Sequence, residues 1–128
     1  MATKQQTPLN HARQVLDIEL AGLKAVRSQL DEQFTATVGI LKEALTRRNK
    51  LVVVGIGKSG NIGQKISATF NSTGATSVLL DPANALHGDI GLLDGGDVVL
   101  ALSYSGESDE LLSLMAAIKK FPVQIVAL

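Results

Sequence analysis

The sequence predicts an α/β chain: a doubly wound parallel sheet preceded by N-terminal helices. Three observations predict it. Apolar residues recur at steps of three and four up to about position 45, the pattern then changes to short unbroken apolar runs, and glycine- or serine-rich loops follow two of those runs. Strands that alternate with helical stretches after such a beginning mark a parallel sheet covered on both faces.

The N-terminal part starts with a loose polar tail over residues 1–8. From about Asn10, Leu16, Leu20, Leu23, Val26, Leu30, Phe34, Val38, Leu41 and Leu45 form one long amphipathic helix or two in series, with a break expected in Gln33–Thr37. Arg47, Arg48 and Lys50 suit a helix C-terminus, where cations meet the negative end of the dipole. Leu51–Val54 is then a strand buried on both faces. Gly55–Gly60 is a tight loop, residues 60–73 are helical through Ile62, Ile66 and Phe70, and Gly74 stops that helix. Ser77–Leu80 is a second strand. After a loop with Pro82 and His87 comes a third, Asp97–Leu102, then a polar turn at Ser103–Glu107. Residues 108–120 form a helix through Leu111, Leu112, Met115 and Ile118, and Pro122 leads into a fourth strand, Val123–Leu128.

Composition narrows the function classes. The 128 residues suffice for one ordinary core, and with 45% apolar but only 3% aromatic residues that core is built from Val, Leu, Ile and Ala. Twelve glycines cluster in the middle of the chain, where backbone must come close to something. A net charge of zero removes the electrostatic argument for nucleic acid. Residues 1–50 carry eight Lys or Arg against five acids, an excess too small to identify a partner. Without cysteine there is no disulfide framework and no thiolate metal site. Met1–Asn10 is polar and no apolar run approaches ~18 residues, so no secretory leader and no membrane partner are expected, and the setting is cytoplasmic.

Ligands of open α/β sheets bind outside the carboxyl ends of the strands, which is where the two unusual loops lie. In Gly55-Ile56-Gly57-Lys58-Ser59-Gly60, glycines let backbone approach an anion at a helix N-terminus, Lys58 adds charge and Ser59 a hydroxyl. A nucleotide P-loop fits poorly, because Val52 stands where its first glycine belongs. A dinucleotide fingerprint fits Gly55, Gly57 and Gly60, with Asp81 near the end of the next strand, but a lone match is a weak signal. The second loop, Ser103-Tyr104-Ser105-Gly106-Glu107-Ser108, favours a phosphosugar site, since three hydroxyls around one glycine at a helix start form a phosphate cradle. Helix capping by Ser105 or Ser108 is the competing explanation; it accounts for one serine well and three poorly.

These two loops, with Ala85-Leu86-His87-Gly88-Asp89, resemble the sugar isomerase (SIS) domain, and within it the arabinose-5-phosphate isomerase family, from about residue 10 to the end. The resemblance implies an SIS-type α/β/α sandwich with four of the usual five strands, forming one SIS domain over residues 9–128. It also implies a homo-oligomer, dimer or tetramer, and interconversion of D-arabinose 5-phosphate and D-ribulose 5-phosphate on the way to the eight-carbon sugar acid of lipopolysaccharide or capsule. Carried over by position, Ser59, Ser103, Ser105, Gly106 and Ser108 hold the phosphate, and Lys58, His87 and Glu107 face the sugar. Aldose–ketose isomerisation needs a base between adjacent carbons and a cation or acid at the enediolate. Glu107 suits the first or the orienting of substrate hydroxyls, Lys58 the second, and His87 a proton shuttle or ring opening. Each has a structural alternative: a helix-start acid, a solvating lysine and a loop-fixing histidine. No cofactor is implied, and His87 with Asp89 supplies too few ligands for a metal.

Family members continue past Leu128 with a further glutamate and histidine and usually a pair of CBS domains, none of which is in this chain. The expectation is a C-terminally truncated isomerase domain, inactive alone if the absent glutamate is the base. A non-catalytic phosphosugar sensor is the alternative, and Lys58, His87 and Glu107 argue against it, because binding needs only serines and glycines. The N-terminal apolar stripe fits either packing on the sheet or a dimer surface.

Overall fold

A computed structural model describes residues 7–128; of the expected tail, residues 1–6 lie outside the described residues. Helix α1 spans Pro8–Gln29, two residues ahead of the expected start, because the Thr7 hydroxyl accepts the Asn10 N–H and Pro8 fits the first helical turn. The break before α2 (Glu32–Thr46) falls at Leu30–Asp31 rather than in Gln33–Thr37. There the Asp31 carboxylate accepts the Gln33 N–H at 2.9 Å, and that cap outweighs the weak helix propensity of Thr35 and Thr37. The chain divides into a unit ending at Ala36 and a second running from Thr37 to Leu128. In the first unit, none of the α1 residues is buried and the apolar stripe from Leu16 to Leu30 is exposed.

The second unit carries β1 (Leu51–Gly55), α3 (Lys58–Ser72), β2 (Ser77–Leu80), α4 (Pro82–Leu86), β3 (Val98–Leu102), α5 (Asp109–Ile118) and β4 (Gln124–Ala127). All pairings are parallel, in the order β2-β1-β3-β4. The segment after β2 is not plain loop. Asp81 accepts the Ala83 and Asn84 N–H groups and Pro82 opens the turn, so five residues make a short helix, followed by a 3-10 turn at Asp89–Leu92.

Strand alternation sorts the core into two layers. Val52, Val54 and Val99 face α4 and α5, meeting Ala85, Leu111, Leu114 and Ile118. Leu51, Val53, Val98 and Leu100 face the other way, against Ile40, Leu41 and Ala44 of α2 and Ile66 and Phe70 of α3. Helices thus cover both faces, the α/β/α arrangement expected of continuous apolar strands. Helix α3 rides especially close to the sheet at Gly63, where a Cβ would stand 2.9 Å from Val53 Cγ1 and 3.1 Å from Leu79 Cδ1. Alanine there gains up to about 1 kcal/mol of helix propensity, but overpacking costs about 1–3 kcal/mol. A Gly63→Ala variant is expected to unfold at lower urea than wild type.

The amino ends of β1 and β3 are tied by charge. Lys50 Nζ lies 2.6 Å from Asp94 Oδ2 and 2.7 Å from Asp97 Oδ2. Buried Asp97 also accepts the Lys50 N–H (3.0 Å) and the Asp94 N–H (2.8 Å). Burial pushes the Asp97 carboxyl upward, but hydrogen bonds from both backbone N–H groups and from the Lys50 ammonium outweigh it and hold its pKa below the usual carboxylate value. Burial likewise pulls Lys50 down, while its bonds and attraction to Asp94 and Asp97 leave it above the ordinary lysine value.

Candidate functional site

Both singled-out loops sit at the carboxyl ends of the neighbouring central strands β1 and β3, where the sheet order reverses. This switch point is where open α/β sheets hold ligands. In the first loop, strand and helix touch through backbone alone. A Cβ on Gly55 would stand 2.8 Å from the Ser59 carbonyl carbon, and one on Gly60 would stand 2.9 Å from the Gly55 oxygen, so neither position takes a side chain. Gly57 bends the chain into α3 at φ +57°. The first turn of α3 contains no acid and begins with exposed Lys58, a cation at the positive end of the helix dipole. That placement is unfavourable for the isolated helix and favourable beside a bound anion.

The second loop is fixed by its own serines. The Ser103 hydroxyl accepts the Gly106 N–H at 2.8 Å, and the Ser105 hydroxyl accepts the Glu107 N–H at 3.2 Å. The Ser103 N–H donates to the Leu128 carbonyl at 2.9 Å, and Gly106 takes φ +70°. Ser108 occupies the N-cap position of α5 but its side chain makes no cap bond. Capping therefore leaves the Ser108 hydroxyl unexplained. Asp109 and Glu110 in the first turn of α5 supply the dipole-favoured charge there, so the α3 side of the crevice is the more favourable one for an anion.

The two loops meet around a cavity of about 220 Å³. Ser59, Ser103, Ser105 and Ser108 all line it, with Ile56, Leu102 and Leu111 making the apolar part and Tyr104 at its edge. Four serines drawn from positions up to 49 residues apart thus converge on one space, and their hydroxyls are a donor type suited to phosphate oxygens. Gly106 lies beside it, lining a neighbouring apolar groove of about 540 Å³ that runs along Leu112, Met115, Ile125 and Leu128.

Lys58, His87 and Glu107 are not among the residues lining the serine cavity; all three are exposed. Lys58 is next to Ser59 in the chain, and Glu107 stands between Gly106 and Ser108 just ahead of α5. His87 closes the C-terminal end of α4 through its backbone N–H to Asn84 O at 3.0 Å, with Gly88 following at φ +134°. Asp81, noted above beside the dinucleotide fingerprint, is engaged in capping α4. Among the described residues no group of three or more His, Asp or Glu side chains could hold a metal ion, and no helix is long and apolar enough to cross a membrane. Sequence reasoning gave no role to Tyr104; its signal was being the chain's single tyrosine, set inside a polar loop.

Comparison with known proteins identifies the family. Residues 44–128 match the SIS domain family. The chain is 42% identical over 117 residues to an arabinose 5-phosphate isomerase of Yersinia pestis, covering 91% of this chain and 34% of that protein. It is 34% identical over 128 residues to one of Francisella tularensis, covering 100% of this chain and 39% of that protein. A protein of Escherichia coli CFT073, solved in complex with arabinose 5-phosphate, superposes with a TM-score of 0.76 at 31% identity, covering 94% of this chain and 64% of that one. The chain thus spans between a third and two-fifths of the length of the curated relatives it matches.

Proposed function

The chain belongs to the SIS domain family, and we propose that its serine cavity binds the phosphate of a sugar phosphate as part of an aldose–ketose isomerase. The single observation that carries this reading is the convergence of Ser59, Ser103, Ser105 and Ser108 on one cavity at the switch point. The substrate pair is D-arabinose 5-phosphate and D-ribulose 5-phosphate, supported by the names of the relatives and by the sugar-phosphate complex of the Escherichia coli protein. Lys58 stabilises the enediolate oxygen, Glu107 moves the proton between carbons, and His87 serves the sugar oxygens. A cytoplasmic setting, a homo-oligomer and a role in supplying the eight-carbon sugar acid of lipopolysaccharide or capsule belong to the same reading.

A second reading, a phosphosugar-binding module without turnover, is favoured by one observation. The phosphate-type serines are gathered, whereas Lys58, His87 and Glu107 are exposed and do not line the cavity. Titrating the 128-residue chain with D-arabinose 5-phosphate, by calorimetry with ketose assayed in the same samples, separates the two. Binding with ketose formation is expected of the isomerase, and binding alone of the module. A folded chain that binds no sugar phosphate but does bind a nicotinamide dinucleotide overturns both.

A further inference from the structure

We propose that Tyr104 is the specificity residue of this site: its ring packs on the carbon chain of a phosphate-anchored sugar and separates sugar phosphates from inorganic phosphate. The inference rests on the phosphate reading of the serine cavity.

Tyr104 is fully exposed, at 104% of its reference area, which is unusual for an aromatic ring held in an ordered loop. The backbone on both sides of it is held by hydrogen bonds. Ser103 donates its N–H to Leu128 O and accepts from Gly106 N–H, and Ser105 accepts from Glu107 N–H. The side chain alone remains free to turn about χ1 and χ2.

Its position gives that freedom a use. Tyr104 borders both the serine cavity and the apolar groove beside it, so the residue stands at the rim where the two meet, with its ring in solvent. The cavity, at about 220 Å³, is smaller than the roughly 300–1,000 Å³ usual for whole small-molecule ligands. It accommodates a phosphate group and leaves the carbon chain of a sugar phosphate at the rim. The groove is lined by Leu112, Met115, Ile125 and Leu128 and offers little to hydroxyls. Beside Lys58 and Glu107, the rim offers one amphipathic ring, whose face packs on sugar C–H groups while its O–H reaches water or a sugar hydroxyl. Inorganic phosphate has no carbon chain and gains nothing from it.

The chain contains one tyrosine and no tryptophan, so its intrinsic emission reports on this side chain alone. Wild type, Tyr104→Ala and Tyr104→Phe are titrated by calorimetry with D-arabinose 5-phosphate and, separately, with inorganic phosphate, and wild-type tyrosine emission is followed in parallel. We expect Tyr104→Ala to weaken sugar-phosphate binding about tenfold and to leave inorganic phosphate within about twofold, with Tyr104→Phe close to wild type. Wild-type emission should change with the sugar phosphate and not with inorganic phosphate. Equal weakening of both ligands means that Tyr104 only shapes the serine loop, and no weakening of either means that the ring makes no contact; each overturns the proposal while leaving the phosphate cradle standing. Wild type that binds neither ligand overturns the cradle and this inference together.

Discussion

Replacing both Ser103 and Ser105 with alanine is expected to lower affinity for D-arabinose 5-phosphate by about 100-fold while leaving a folded protein. Both serines line the cavity, and each hydroxyl already accepts one N–H from its own loop. A hydroxyl that accepts from the loop still has its proton to donate to a phosphate oxygen. Hydrogen bonds to a charged group contribute about 1.5–3 kcal/mol each, and two at the lower figure give a factor of roughly 150. The variant also frees the Gly106 and Glu107 N–H groups from their anchors, but the loop is exposed and water replaces those bonds, so the thermal midpoint should move little. Calorimetric titration against wild type, with circular dichroism melting on the same samples, tests this. An unchanged affinity in a folded double variant removes the loop from the phosphate site.

The Asp97→Asn variant is expected to lose about 3 kcal/mol of stability at neutral pH, because it leaves the Lys50 ammonium without its buried partner. The exposed neighbour gives the contrast: Asp94→Asn should cost no more than about 1 kcal/mol, since that carboxylate sits mostly in solvent. The pH dependence has a definite sign. Asp97 has a lowered pKa in the folded protein, so its contribution is present above the unfolded-state value of about 3.9 and is lost as pH falls through the still lower folded value. Lys50 has a raised pKa, so its contribution is complete below about 10.4 and is lost as pH rises through the folded value. Urea midpoints measured from about pH 3 to about pH 9 should show wild type and Asp97→Asn far apart at neutral pH and converging toward the acid end. A gap of equal size at both ends of the acid limb sinks the charge argument.

Much of this architecture was legible in the residues. Leu51–Val54 and Asp97–Leu102 could hardly be anything but buried strands, since an unbroken apolar run needs cover on both faces, and the structure provides it with α2 and α3 on one side and α4 and α5 on the other. The glycine spacing of the first loop was legible for the same local reason, as Gly55 and Gly60 stand where backbone meets backbone. Helix α4 escapes a reading by periodicity although its signal is present: Asp81-Pro82 is a capping pair, but five residues are too few for an apolar period to show. The break between α1 and α2 comes ahead of the threonine-bearing stretch because a single cap at Asp31 decides it, where β-branched propensity points further along the chain.

By itself, then, the sequence determined the four strands, the longer helices and the two loops that bear hydroxyls, because apolar runs, helix periodicity and glycine turns are written in neighbours within a few residues. Only the tertiary structure decided the order β2-β1-β3-β4, the contact of Lys50 with Asp94 and Asp97 across 44 and 47 positions, and the convergence of Ser59 with Ser103, Ser105 and Ser108. It also decided that Lys58, His87 and Glu107 face solvent and that Tyr104 stands at the rim. The direction of a side chain and the partners it meets depend on how the layers pack, and residues that are distant in the chain become neighbours only when that packing forms.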